Sequence, residues 1–248
     1  MMGVMTGFFA ALGFLTRIPA PAFATGDAQG DLARAAPWLP VVGALVGAYV
    51  ALALTLGAFA GPWIAALAGI LTWVIITGAL HLDGLADVAD GLGAAHGDTQ
   101  RFLEVARDSH LGSFGAVALV LQIAAKLILL AALAGRAGPH MLHLAPALIL
   151  IAAWARWLPL ALASAMPPLA GGMASRLAAG IRTPIVIVEA MALAALSAWL
   201  APVLLAALPL AAGHALYWRA RLGGITGDCH GASIEIMESL LLLALLLR

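Results

Sequence analysis

The sequence predicts an all-α, polytopic integral-membrane helical bundle, with about seven spans and an N-terminal interfacial or re-entrant helix. Three observations carry that prediction. Of the 248 residues, 64% are hydrophobic and only 10% are charged. Mean hydropathy is +1.06, far above that of a soluble domain. The apolar residues also fall into long runs, several near the ~20 residues a helix needs to cross a bilayer, with polar connections between them.

Taken in order, the first 24 residues superficially resemble a signal peptide with a small-residue cleavage site. No basic residue precedes the apolar part, and Arg17 follows it. The segment therefore reads as a retained helix ending at Pro19. Residues 17–36 form a polar connection with Arg17, Asp27, Asp31 and Arg34. A first span runs from Trp38 to Phe59. Gly61-Pro62 turns the chain into a second, from Trp63 to Leu80. An acidic stretch follows, then an amphipathic helix over Thr99–Ser109 with Phe102, Leu103 and Val105 as its apolar contacts. Gly112 and Gly115 loosen the chain before a third span, Val117–Leu133. A turn at Gly135–Pro139 leads to the fourth, Leu144–Leu162, and residues 164–183 are another polar connection. Residues 184–218 are too long for one straight span, and Pro202 and Pro209 divide them into two. After a glycine-rich connection, the last span is short, Ile234–Leu247, and carries Glu235 and Glu238 at its start.

With seven spans, residues 17–36, 81–113, 164–183 and 219–233 share one side of the membrane. Eight of the 12 basic residues lie there, which makes that side cytoplasmic by the positive-inside rule. All 12 acidic residues also lie there or at the bordering span ends. Acids do not set topology, so this asymmetry points to a polar working surface on one face of a single domain, 1–248. That working surface is therefore expected to face the cytoplasm. A formal net charge of zero argues against nucleic-acid binding, and the single cysteine, Cys229, excludes a disulfide framework or a cysteine metal cluster.

That surface centres on His81-Leu-Asp83-Gly-Leu-Ala-Asp87-Val-Ala-Asp90. On a helix, Asp83, Asp87 and Asp90 stand at i, i+4 and i+7 and share a face. Such like charges are relieved by a divalent cation, and all-oxygen ligands suit magnesium or manganese. The blander reading is a solvated acidic turn. Arg107-Asp108-Ser109-His110 offers an arginine fork for phosphate, and the glycines after it allow close approach of a bulky ligand. Arg156 and Lys126 lie inside spans and need partners or water there. Around Thr226 and Asp228, glycines would let a loop fold over a ligand, with Asp228 as a fourth metal oxygen. Glu235 and Glu238 read equally well as acids at a helix N-terminus. Divalent metal, arginines and glycine loops together suggest diphosphate chemistry, with a carboxylate or His81 taking a proton from an attacking hydroxyl.

Four motifs, F-L-T-R-I-P at 14–19, H-L-D-G-L-A-D-V-A-D-G-L at 81–92, R-D-S-H-L-G-S-F-G at 107–115 and G-G-I-T-G-D-C-H-G-A at 223–232, resemble the adenosylcobinamide-GDP ribazoletransferase (cobalamin-5'-phosphate synthase) family. The resemblance runs from near the N-terminus to the last span. It implies a magnesium-dependent inner-membrane enzyme of late vitamin B12 assembly. Its substrates would be adenosylcobinamide-GDP and α-ribazole or its 5'-phosphate, with attack by the ribazole 3'-hydroxyl and release of GMP. It implies metal roles for Asp83, Asp87, Asp90 and Asp228 and catalytic roles for Asp83, His81 and Asp108. Substrate contacts are then expected from Arg17, Arg107, Ser109, Arg156 and Thr226. The surroundings would be a lipid bilayer, with a homo-oligomer allowed. Two rivals are a CDP-alcohol phosphotransferase, half of whose signature is missing here, and a transporter, which would place polar groups at the midplane and show internal repeats.

Overall fold

A computed structural model describes residues 2–21 and 28–248. Among them every regular element is helical: α1 (Met2–Leu15), α2 (Ala28–Ala35), α3 (Leu39–Gly57), α4 (Pro62–Thr77), α5 (Leu80–Ala95), α6 (Thr99–Val105), α7 (Ser113–Ala137), α8 (Ala145–Ala165), α9 (Met173–Gly180), α10 (Thr183–Leu200), α11 (Ala207–Leu222) and α12 (Gly227–Leu246). Six helical segments, built on α3, α7, α8, α10, α11 and α12, are long and apolar enough to cross a membrane. A seventh is counted when α4 and α5, bent by 87° at Gly78–Ala79, are taken together. The predicted bundle is thus observed, with α4 as the remaining span and α5 turned across its end. Asp27 lies outside the described residues.

The bundle is built around α8, whose residues 151–160 are all buried. A helix apolar on all sides belongs at the centre. α3 packs along it through Gly43 and Gly47, where an added Cβ would stand 2.5 Å from the Ala152 carbonyl and 2.7 Å from that of Leu148. This is the small-residue spacing that lets membrane helices approach closely. Buried indoles find partners: Trp154 Nε1 donates to Ser197 Oγ at 2.9 Å, and Trp157 Nε1 to the Val186 carbonyl at 3.0 Å.

The polar connections meet at one end of the bundle. The Arg17 amide donates to the Ile76 carbonyl at 2.7 Å. Pro168 and Ile225 pair through an isolated parallel bridge, the Leu169 amide donating to the Ile225 carbonyl at 2.9 Å and the Ile225 amide to the Pro167 carbonyl at 3.0 Å. Gly180 sits against the backbone of Ala33.

Several boundaries differ from expectation. The amphipathic helix α6 stops at Val105, although Phe102 is fully buried as expected. α7 begins at Ser113, so Gly112 caps it and Gly115 lies in its first turn. Pro209 falls in the first turn of α11 instead of breaking it, where its missing N–H costs nothing. α12 begins at Gly227, not Ile234. Gly227 and Gly231, on either side of Asp228, are therefore helical while Gly223 and Gly224 stay in the connection, and Glu235 and Glu238 lie two and three turns inside rather than at the N-terminus.

Candidate active site

The chain turns into α5 through two consecutive left-handed residues, Gly78 (φ 61°) and Ala79 (φ 61°). Gly78 fits this region freely, whereas Ala79 bears a strain that surrounding contacts must hold. Arg17 covers the turn: a Cβ on Gly78 would lie 2.2 Å from its Nε.

α5 carries Asp83, Asp87 and Asp90 along one face, as the spacing predicts. α12 packs against it. A Cβ on Gly84 would come within 3.0 Å of the Asp228 carbonyl, and one on Gly231 within 3.3 Å of that of His81. These two glycines let helix rest on helix, which sets Asp228 beside the aspartate row. Asp228 sits in the first turn of α12, where the helix dipole favours an anion. Crowding is evident at Asp87. Burial, then Asp83, Asp228 and Asp90 in that order, push its carboxyl up to about 6.

Asp90 has a second task. Its Oδ2 accepts from the Gly112 amide at 2.8 Å and its Oδ1 from the Gly115 amide at 2.9 Å, so it caps α7 from across the site. A Cβ at Gly112 would stand 2.3 Å from Oδ1. The two glycines thus make room for this carboxylate. The donor set, four carboxylates with oxygen ligands only, suits a hard divalent cation. Among the described residues the side chains are neighbours and do not already converge as a cage of three.

The loop between α6 and α7 forms an exposed rim. Arg107, Asp108, Ser109 and His110 are all exposed. Asp108 Oδ1 accepts from the His110 amide at 3.0 Å and contacts its Nδ1 at 2.6 Å. Those hydrogen bonds hold Asp108 below the usual carboxylate range.

Beside Asp83 and Asp228 is a cavity of about 140 Å³, whose lining also includes His81 and His230 among apolar walls. Both histidines are buried, at 3% and 5% exposure, and His81 Nε2 and both ring nitrogens of His230 lack a hydrogen-bond partner. Arg156 stands one side chain further back. It is fully buried and donates to Glu238 Oε1, while its Nη2 approaches His81 Nδ1 at 3.5 Å. Lys126 completes this layer, reaching Glu235 Oε2 at 2.6 Å and also Glu238, and lying 4.5 Å over the Trp73 ring. Both intramembrane cations thus find carboxylates on α12.

The structure therefore brings Asp83, Asp87, Asp90, Asp228 and His81 together, with Arg17, Arg107, Asp108 and Ser109 on exposed surface. It sets Arg156 behind His81. Thr226 is buried, and its hydroxyl caps α12 by accepting from the Cys229 amide at 3.2 Å. Sequence reasoning missed His230 in the cavity wall and the pairing of Glu235 and Glu238 with Lys126 and Arg156. Two acids and two bases inside spans, balanced in charge, were the signal for that pairing.

A family model described as cobalamin-5-phosphate synthase matches residues 7–246. The adenosylcobinamide-GDP ribazoletransferase of Laribacter hongkongensis is 50% identical over 240 residues, covering 96% of each chain. That of Thiobacillus denitrificans is 48% identical over 240 residues, covering 96% of this chain and 94% of its own. That of Novosphingobium aromaticivorans is 44% identical over 246 residues, covering 97% and 96%. No solved structure matches the chain. A match across almost the whole length, on a bundle whose motifs converge at one end, shows that the chain belongs to the cobalamin-5-phosphate synthase family.

Proposed function

We propose that this protein joins α-ribazole, or its 5'-phosphate, to the cobinamide phosphate of adenosylcobinamide-GDP, giving adenosylcobalamin or its 5'-phosphate and GMP. The observation that carries the reading is the seating of α12 on Gly84, which adds Asp228 to the carboxylates of α5 beside a cavity. The ribazole 3'-hydroxyl attacks the cobinamide-side phosphorus. A P–O bond forms there, the bond to the bridging oxygen of the diphosphate breaks, and GMP leaves with that oxygen.

Asp83, Asp87 and Asp228, with Asp90 at the edge, are the residues that would hold magnesium. Bound there, the ion would neutralise diphosphate charge and polarise the phosphorus. Asp83, on the cavity wall, is the carboxylate we assign to accept the hydroxyl proton. Arg107 and Ser109, exposed on the loop between α6 and α7, would meet phosphate oxygens, with Asp108 and His110 holding the shape of that loop. Arg17 braces the Gly78–Ala79 turn. Arg156 orients His81, and Thr226 fixes the start of α12 that carries Asp228. The carboxylate end of the bundle faces the cytoplasm of the inner membrane, where soluble nucleotide substrates are available.

The test is direct. Protein purified into liposomes with magnesium, adenosylcobinamide-GDP and α-ribazole 5'-phosphate should release GMP. Chelation should stop the release and added magnesium restore it. GMP no higher than in protein-free liposomes would reject the reading, and chelator-resistant release would reject the metal.

A further inference from the structure

A second hollow lies on the far side of the aspartate helix. It is a groove of about 420 Å³ between α5, α11 and α12. Leu85, Val88 and Leu92 line it from α5. On a helix these residues stand roughly half a turn round from Asp83, Asp87 and Asp90. α5 therefore carries the carboxylates along one face and backs onto the groove with the other.

The groove lies at membrane depth. α11, with the turn before it, and α12 are each long and apolar enough to span a bilayer. α11 turns much of its surface outward, with Leu216 69% exposed. Ile236 and Leu240 complete the wall from α12. Polar side chains are few, and one of them, Ser233, already accepts from Trp218 Nε1 at 2.8 Å. Water would find few partners in such a space. Left empty, its walls would forfeit van der Waals contact. Hydrocarbon from the surrounding bilayer meets neither cost.

At its mouth the chemistry changes. The lining residues Leu210, His214 and Tyr217 fall on one stripe of α11, and the next residue of that stripe is Arg221. Arg221 is exposed and has no ion-pair partner among the described residues. The last turn of α11 also holds Arg219, and no acid. From Leu210 to Arg221 the helix rises roughly 16 Å, close to the depth of one leaflet of a ~30 Å hydrocarbon core. Tyr217 stands between them, near the level where amphipathic rings gather at the headgroups. Apolar depth, then an aromatic ring, then a free arginine is the order of groups that a phospholipid presents from chain to phosphate.

We propose that this groove binds an anionic phospholipid of the leaflet at the carboxylate end, with one acyl chain packed against α5, α11 and α12 and the phosphate paired with Arg221. The chain lies behind the aspartates. The lipid is thus a positioning ligand, which braces the back of α5 and touches no substrate. Its binding does not rest on the reaction proposed above; only its effect on turnover does.

Native mass spectrometry of the full-length protein, stripped in detergent and returned to equimolar phosphatidylglycerol and phosphatidylethanolamine, counts what is kept. One phosphatidylglycerol per chain should be retained, about fivefold in preference to phosphatidylethanolamine, the scale of one basic residue acting on anionic lipid. Arg221→Gln should remove that preference. Leu210→Trp and Ile236→Trp, which fill the groove from opposite walls, should abolish retention. If neither folds, headgroup preference and stoichiometry in the unaltered protein still decide. In the stripped protein, phosphatidylglycerol should raise GMP release, and Arg221→Gln should need about fivefold more of it for half the effect. Equal retention of both headgroups, retention unchanged in a folded groove-filling variant, or a lipid-free dimer joined through α11 would overturn the site. Selective retention with GMP release indifferent to lipid would overturn the bracing of α5. GMP release absent in every lipid would count against the reaction and not against the site, which the retained lipid tests by itself.

Discussion

Asp83 and Asp90 belong to one row of carboxylates but are held differently. Asp83 is exposed at the cavity rim, with no backbone donor given to it, whereas both oxygens of Asp90 are engaged by amides of α7. Removing the charge at Asp83 should therefore strike chemistry and leave the fold intact. Asp83→Asn is expected to lower GMP release by at least ~10²-fold, the scale of losing a group that acts on developing charge. Its melting temperature in detergent should match that of the unaltered protein, and retained turnover would remove Asp83 from the site. Gly112→Ala tests the other end of the row. Its new methyl would stand 2.3 Å from Asp90 Oδ1, so the carboxylate must leave its amides. Turnover should fall by about 10- to 100-fold, as for other partners that orient a ligand without touching substrate. Gly97→Ala is no control for this, since its φ of 96° adds strain of its own. Gly213→Ala is the better comparison: an added Cβ there would meet nothing within 4 Å, and its activity should be unchanged.

At the scale of elements, α5 and α12 form the working pair, and α12 has two functions along its length. Its first turn supplies Asp228; its third and fourth turns supply Glu235 and Glu238 to the buried cations. Glu238 alone joins Lys126, Arg156 and the Trp73 indole. Glu238→Gln leaves two buried cations sharing one carboxylate, and should cost about 3–5 kcal/mol in unfolding from mixed micelles. The double change Lys126→Met with Glu235→Gln removes charge of both signs. It should cost less than the two single changes added together, by about 0.5–3 kcal/mol of coupling. Simple additivity would mean that the pair does not act as a unit. The same two helices show what local sequence can and cannot reveal. The shared face of Asp83, Asp87 and Asp90 was legible because it depends only on helical period. The start of α12 was not. Gly227 and Gly231 raise loop propensity locally, yet at Gly231 the missing Cβ serves the packing on α5 at His81, a contact between residues far apart in the chain that no local pattern encodes. Once α12 is shortened by that reading, Glu235 and Glu238 move to its apparent N-terminus and lose their buried partners. His230 was hidden for the same reason, since a histidine in a loop says nothing about a cavity wall.

For the molecule as a whole, function depends on which way the bundle faces. The count of spans was readable from hydropathy, and the convergence of polar connections at one end follows from the two crossings that separate each connection from the next. The contacts between residues 17 and 76, 84 and 228, 90 and 112, and 169 and 225 tie that end together. Charge predicts the orientation: Arg17, Arg34, Arg101, Arg107, Arg176, Arg182, Arg219 and Arg221 lie at this end, against Arg136 and Arg248 at the other. Cysteine labelling can test it with little background, because the sole native thiol, Cys229, is fully buried. Gln100 is exposed on α6 at the carboxylate end, and Leu142 is 65% exposed in the turn between α7 and α8 at the opposite end. In intact spheroplasts, a membrane-impermeant maleimide should modify Leu142→Cys and spare Gln100→Cys. In inverted vesicles the pattern should reverse. The opposite result would put the carboxylates on the periplasmic side, away from the nucleotide pool, and the proposed reaction could then not draw its substrates from the cytoplasm.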